Sequence, residues 1–368
     1  MGALMARDLP IGNGSLFISF DRGALLRELT FPYIGQETHT KGEPFRFGIW
    51  VDSALSWIPD GWTLKREYVD DTLVTNIDLI NERLNLRIVM NDFVDFEENI
   101  YFKKITLENF SKEARDIRLF LTQDFYIYGN DIGDTAALRP ENKGLLHYKG
   151  DRYFLVNIWA NKKFGIDLFA TGNKHTNQYE GTWKDAEDGI LSGNPIAQGA
   201  VDSVIGIPIH LESLGKESCF YWISAGTNWE EVNSLNEKIK KKTPEFFLKR
   251  TTDYWKLWVN KKQIDKGILS EKILWLYKRS LLVCRVQINN CGSIISANDS
   301  DVIYFNRDTY SYMWPRDAAM VAYALDLAGY GDTTENFYRF CGKIIEKDGY
   351  FLHKYTPSGS LASSWHPW

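Results

Sequence analysis

The sequence predicts a β-plus-α protein, a large antiparallel two-sheet sandwich followed by a few helices. Three observations carry that expectation. From about residue 14 to 225, apolar and polar residues alternate with period two, as in half-buried strands. Turn-forming clusters such as "PDG", "YGNDIGD", "LSGNP" and "SLGKE" interrupt the alternation without any helical stretch between them. Near Asn228 the period changes to three and four residues and stays there.

The strand candidates come in order. "SLFISFD", "LVTNIDLI", "LNLRIVM", "YFKKITLENF" and "DIRLFLT" each place apolar residues on one face, and "RYFLVNIW", "FGIDLFATG" and "ESCFYWISAG" follow. The helical part opens with "NWEEVNSLNEKIKKKTPEFFLKRTTDYWKLWVN", broken once at Pro244. Next is "SEKILWLYKRSLLVCRVQI", amphipathic, with Ser270 as N-cap. A helix through "RDAAMVAYALDLAGY" starts at Pro315 and ends near Gly329. Another, "TENFYRFCGKIIEK", starts after Asp332, with Glu335 completing a capping box. At 368 residues two domains are expected. Residues 1–227 form the sandwich, 228–266 a helical linker and 267–368 the start of a helical domain. About three helices in the last segment are too few to close a helical domain by themselves.

Composition narrows the function. The formal net charge is −5, and the one basic run, "KIKKK" at 238–242, suits the wet face of a helix, so nucleic acid is not an expected partner. No apolar run reaches membrane-spanning length and no signal peptide is visible, so the chain reads as soluble and cytoplasmic. Cys219, Cys284, Cys291 and Cys341 form no CxxC pair and read as buried free thiols. None of the six histidines belongs to an HExxH pattern, "YGNDIGD" does not fit an EF-hand, and no glycine-rich phosphate loop occurs. No metal or cofactor is expected. Aromatic residues reach 14 %, a surplus that suits stacking on the C–H faces of sugars as well as core packing.

The stretch "YSYMWPRDAA", residues 310–319, concentrates that surplus. A purely structural account is available: proline fits the first helical position, Asp317 meets the positive end of the helix dipole, and Trp314 staples the turn. A functional account adds that a guanidinium fork, an adjacent carboxylate and flanking rings match the hydroxyls and apolar faces of a pyranose.

"DTYSYMWPRDAAMVAYAL" resembles the signature region of glycoside hydrolase family fifteen, the glucoamylases, glucodextranases and related trehalases. "RDLPIGNGSLFISFD", "FPYIGQETHT", "YGNDIGDTA", "LLHYKGDRYFLV" and "GSIISANDSD" resemble further stretches of its prokaryotic members. The resemblance implies a β-supersandwich followed by the first helices of an incomplete (α/α)6 toroid. It implies that Arg316 and Asp317 bind hydroxyls of the terminal glucose, that Tyr310 and Trp314 line the same subsite, and that Trp365 in "SSWHPW" sits on a loop closing over the substrate. It also implies inverting hydrolysis by two glutamates, one the acid and one the base, about 6.5–9.5 Å apart. Both family positions lie beyond Trp368, so no catalytic residue is assigned here. Glu335 and Glu346 come too early and read as helix-surface residues. The expectation is the N-terminal part of an exo-acting hydrolase of α-linked glucans or disaccharides, inactive alone. The alternatives are a trehalase of the same family, a non-enzymatic carbohydrate-binding or scaffold protein, or a subunit whose toroid a second chain completes.

Overall fold

The computed structural model describes residues 8–174, 180–262, 269–298 and 309–364. Two antiparallel sheets face one another. The smaller has five strands in the order Leu168–Asn173, Val201–Leu211, Arg115–Gln123, Phe47–Val51, Ala54–Trp57. The larger has ten strands. It runs from Ile196–Gly199 through Asp134–Arg139, Gly144–Lys149, Arg152–Ala160, Lys216–Gly226, Ile100–Asn109, Leu86–Val94 and Thr75–Asn81 to Thr63–Tyr68. The short strand Lys163–Phe164 lies beside Arg152–Ala160. The consecutive strands Val201–Leu211 and Lys216–Gly226 therefore enter different sheets, each between two strands that precede it in the chain. A three-stranded sheet, Ile11–Gly12, Phe17–Phe20 and Leu26–Thr30, flanks this sandwich.

Period-two alternation builds the core. In Thr75–Asn81 the odd residues are buried, and Ile77 and Leu79 pair with Met90 and Ile88 across the ladder. These meet Ile117, Leu119, Ile205 and Ile207 from the smaller sheet in one apolar cluster. The outer face of the larger sheet is apolar too. There Phe93, Phe102 and Trp222 lie on neighbouring strands, the two phenylalanine rings stacked at 4.9 Å. Each such ring hides on the order of 150–250 Å², up to roughly 4–6 kcal/mol of transfer free energy. That face must be covered, and two helices cover it.

Helix α1 (Trp229–Lys242) and helix α2 (Pro244–Val259) supply Leu235, Ile239 and Phe247 to this outer cluster. Asn228 caps α1 by accepting from Glu231 N–H at 2.9 Å, while the Glu231 carboxylate accepts from Thr227 N–H at 2.8 Å. Lys240, Lys241 and Lys242 close α1 at the negative end of its dipole, and Ile239 alone of the basic run turns inward. Pro244 starts α2 as the first-turn residue that lacks a donor. Arg250 clamps α2 to the sandwich by donating to the fully buried Asp95 and to Glu97. Helix α3 (Glu271–Val286) is capped by Ser270 as expected and buries Leu281, Leu282 and Val286. Helices α4 (Pro315–Leu327) and α5 (Gly331–Ile344) follow.

Several expectations need correction. Helix α5 begins at Gly331, before Asp332, and has no side-chain cap, so there is no capping box. The buried Tyr330 fixes that start, because its hydroxyl donates to Val259 O at 3.0 Å and its ring packs on Trp258. Glu335 instead pairs with Arg339 at 2.6 Å. Glu346 lies in the turn beyond α5, not on a helix. "FGIDLFATG" is two strands, split where Gly165 adopts φ +103°. Val201–Leu211 is a strand the alternation reading passed over. All four cysteines are free, but Cys291 is exposed and only Cys219 is fully buried. No helix among the described residues is long and apolar enough to cross a membrane.

Candidate functional site

The stretch 309–314 is held on three sides before α4 begins. Ser296 N–H donates to Tyr312 O at 3.0 Å, Ser311 Oγ donates to Ala297 O, and Met313 exchanges both backbone bonds with Tyr355 at 2.9–3.0 Å. The sandwich supplies the third support. Ile34 N–H donates to Asn289 Oδ1 at 2.6 Å, and Gly35 sits directly against Ser311 and Ile295. Trp314 is the N-cap residue of α4, in extended conformation, which sends Pro315, Arg316 and Asp317 into the first turn. The free N–H groups of Arg316 and Asp317 give that turn a positive end.

The arrangement is an aromatic wall beside an ion pair. The rings of Tyr310 and Trp314 lie 6.4 Å apart, and Arg316 donates to Asp317 at 3.4 Å. Arg316 is 84 % exposed and Asp317 40 %, so both are open to a ligand and neither is spent on internal structure. Trp314 Nε1 is shielded from solvent without a hydrogen-bond partner. Trp365 lies outside the described residues.

Two residues join this group that the sequence reading did not single out. His353 meets the Trp314 ring at 4.5 Å, nearly perpendicular, and Lys354 Nζ lies 4.1 Å over Tyr312 and 5.6 Å over Trp314. The bridge between Met313 and Tyr355 brings them there. The only signal in the sequence was the aromatic flanking of "FLHKY". Among the described residues no group of three or more His, Cys, Asp or Glu side chains could hold a metal.

Chemically, the described residues bring together aromatic faces, a guanidinium and one carboxylate, without a second carboxylate beside Asp317. Glu335 is spent on Arg339 at the surface of α5. Meanwhile α3 leaves Ile273, Trp275 and Leu276 at least half exposed, and α4 does the same with Met320, Tyr323 and Leu327. The last three share one helix face at spacings of three and four.

Known proteins resemble the chain over most of its length. No family model matches it. It is 25 % identical over 358 residues to an uncharacterized glycosyl hydrolase of Methanocaldococcus jannaschii, covering 95 % of this chain and 55 % of that protein. Its fold superposes on a bacterial glucoamylase complexed with acarbose, with a TM-score of 0.75 at 17 % identity, over 96 % of this chain and 51 % of that one. The chain spans about half the length of both.

Proposed function

We propose that this chain is the N-terminal portion of an inverting, exo-acting α-glucoside hydrolase of the glucoamylase kind. The observation that carries the reading is the constellation at the start of α4. The neighbouring rings of Tyr310 and Trp314 immediately precede an accessible Arg316–Asp317 pair, in a chain whose fold superposes on about half of a glucoamylase. Arg316 and Asp317 would take the hydroxyls of the non-reducing glucose, the rings would take its apolar face, and Trp365 would close over it. Hydrolysis with inversion needs one carboxylic acid at the glycosidic oxygen and one carboxylate at a water molecule. We place both on polypeptide beyond Trp368, so the 368-residue chain is inactive by itself. The exposed apolar faces of α3 and α4 favour this reading over a free-standing binding protein, whose helices would have covered faces. The same faces would receive the rest of an (α/α)6 toroid, whether from one continuous chain or from a second subunit.

The test is to supply the missing helical polypeptide and assay maltose, starch, dextran and trehalose. Glucose should appear from at least one, and the preferred substrate fixes the specificity, trehalose marking the trehalase alternative. Absence of glucose from all four overturns the assignment. The chain alone, incubated with maltose, should release no more glucose than its Asp317→Ala variant.

A further inference from the structure

We infer that the sandwich carries a second sugar-binding cleft, at the edge of the five-stranded sheet, shaped for a neutral pyranose unit. It opens between the edge strand Leu168–Asn173, the short 3-10 turn Thr182–Asp188 and residues 189–195. Its volume of about 420 Å³ falls in the ~300–1,000 Å³ range of small-molecule sites. It shares no residue with the Tyr310–Asp317 stretch.

Among the described residues, the walls mix donors and acceptors and include no cation. Thr171, Thr182 and Ser192 bring hydroxyls, Asn173 and Asn194 amides, and Asp185 a carboxylate. Two walls are pinned to each other: Asn194 Nδ2 donates to Thr171 O at 2.7 Å and Thr171 Oγ1 donates to Asn194 O at 3.0 Å. The buried Asp202 carboxyl lies behind Thr182 and accepts its backbone N–H at 2.8 Å. Burial pushes Asp202 up to about 7, so near neutral pH it holds a proton much of the time and can donate as well as accept. The Thr182 hydroxyl lies beside that carboxyl and is more than nine-tenths buried. Gly181, at φ +141°, keeps this corner open, since a Cβ there would meet Asp202 Oδ2 at 2.7 Å and Trp183 Nε1 at 3.2 Å. Trp183 lies next to this corner, with Arg46 at 4.6 Å and Lys184 at 5.2 Å over its ring and Trp57 edge-on at 6.4 Å.

The charge pattern selects the ligand. Among the described lining residues an anion would find the Asp185 carboxylate and no cation; nearby, Lys174 is taken up by Asp124 and Phe125 O, Lys184 by Glu180, and Arg46 lies over the Trp183 ring. A metal would find too few ligating side chains among the described residues. Mixed hydroxyl and amide walls beside an indole fit a neutral polyol. The identity of the sugar as a glucose unit rests on the proposed function. A glucan held here would be anchored away from the end at which it is cleaved.

Calorimetric titration of the 368-residue chain with maltotriose tests the cleft. Saturable binding in roughly the millimolar range is expected. Ser192→Trp, at an exposed mouth position, should fill the cleft and raise Kd at least tenfold, and Asp185→Ala, which removes a lining carboxylate, should raise it too, with unchanged circular dichroism. Asp317→Ala should leave Kd unaltered. Binding that survives both cleft variants but is lost in Asp317→Ala overturns the inference and leaves the proposed function standing. No saturable binding of maltotriose also overturns it, as does binding of calcium chloride or inorganic phosphate that Ser192→Trp abolishes.

Discussion

Arg316 and Asp317 face solvent, so their mutual attraction contributes less than about 1 kcal/mol to folding. Asp317→Ala should therefore shift stability by no more than about 0.5 kcal/mol in urea titration. In the completed enzyme the same change removes a charged hydrogen bond to substrate. That is about 1.5–3 kcal/mol, a roughly ten- to hundredfold loss in kcat/KM. Arg250 presents the opposite balance. Its partner Asp95 is fully buried, and Thr251 Oγ1 and the N–H groups of Glu97 and Glu98 also donate to it. Arg250→Ala leaves those donors in place, so the loss should be about 2–3 kcal/mol, short of the ~3–5 kcal/mol for an abandoned buried charge. Denaturant midpoints of the two variants measure the contrast.

At the scale of elements, the sandwich strands were legible where alternation was clean, and α1 to α4 where period, cap and proline agreed. Val201–Leu211 was hidden by Gly206 and Pro208, which argue against a central strand. The strand tolerates Pro208 because its neighbour Leu168–Asn173 pairs only with residues 201–206, leaving the proline without a ladder bond to make on that side. The start of α5 was misplaced because Tyr330 is fixed by a tertiary contact that no local pattern announces. The candidate site divides likewise. Tyr310, Trp314, Arg316 and Asp317 were readable because they are nearly contiguous, whereas His353 and Lys354 arrive only through the bridge to Tyr355. The support under Ser311 was invisible for the same reason. Gly35 has φ +93°, and a methyl there would press on Ser311 O and Ile295 Cδ1 at 3.0 Å. Gly35→Ala should cost about 1–3 kcal/mol in thermal unfolding and displace the aromatic wall. In the completed enzyme KM should rise.

For the molecule as a whole, three buried groups shape the response to pH. Burial lowers His39 and His147 from 6.5 to about 3. His39 Nε2 donates to Phe31 O and its Nδ1 accepts from Tyr128 N–H, so a second proton would remove an acceptor already in use. Below pH 6.5 the unfolded chain takes up these two protons and the folded chain does not. Each histidine then lowers stability by about 1.4 kcal/mol per pH unit down to its folded value. Asp202, raised from 3.8 to about 7, acts in the other direction. The folded chain keeps its proton while the unfolded chain releases it, so this group costs stability as pH rises from 3.8 to 7. Together the three give a net fall of about 1.4 kcal/mol per unit on acidification from 6.5 towards 4, with a maximum near pH 6.5. The melting temperature followed by circular dichroism should trace that maximum, and His39→Gln with His147→Gln should reverse its acid limb.

The paired strands Val201–Leu211 and Lys216–Gly226 give the sandwich a direction in time. Each fills the gap between older strands, so the five-stranded sheet cannot zip shut before residue 211 nor the ten-stranded one before residue 226. On a translating ribosome the nascent chain carries half-sheets with open edges for most of its synthesis. Such edges invite pairing with neighbouring chains, and contacts this distant in sequence form slowly. A force-sensing arrest sequence placed at successive lengths should register little pull until residue 226 has left the exit tunnel, then a single strong one. A stepwise rise beginning near residue 123 would mean that the early strands close a sheet of their own.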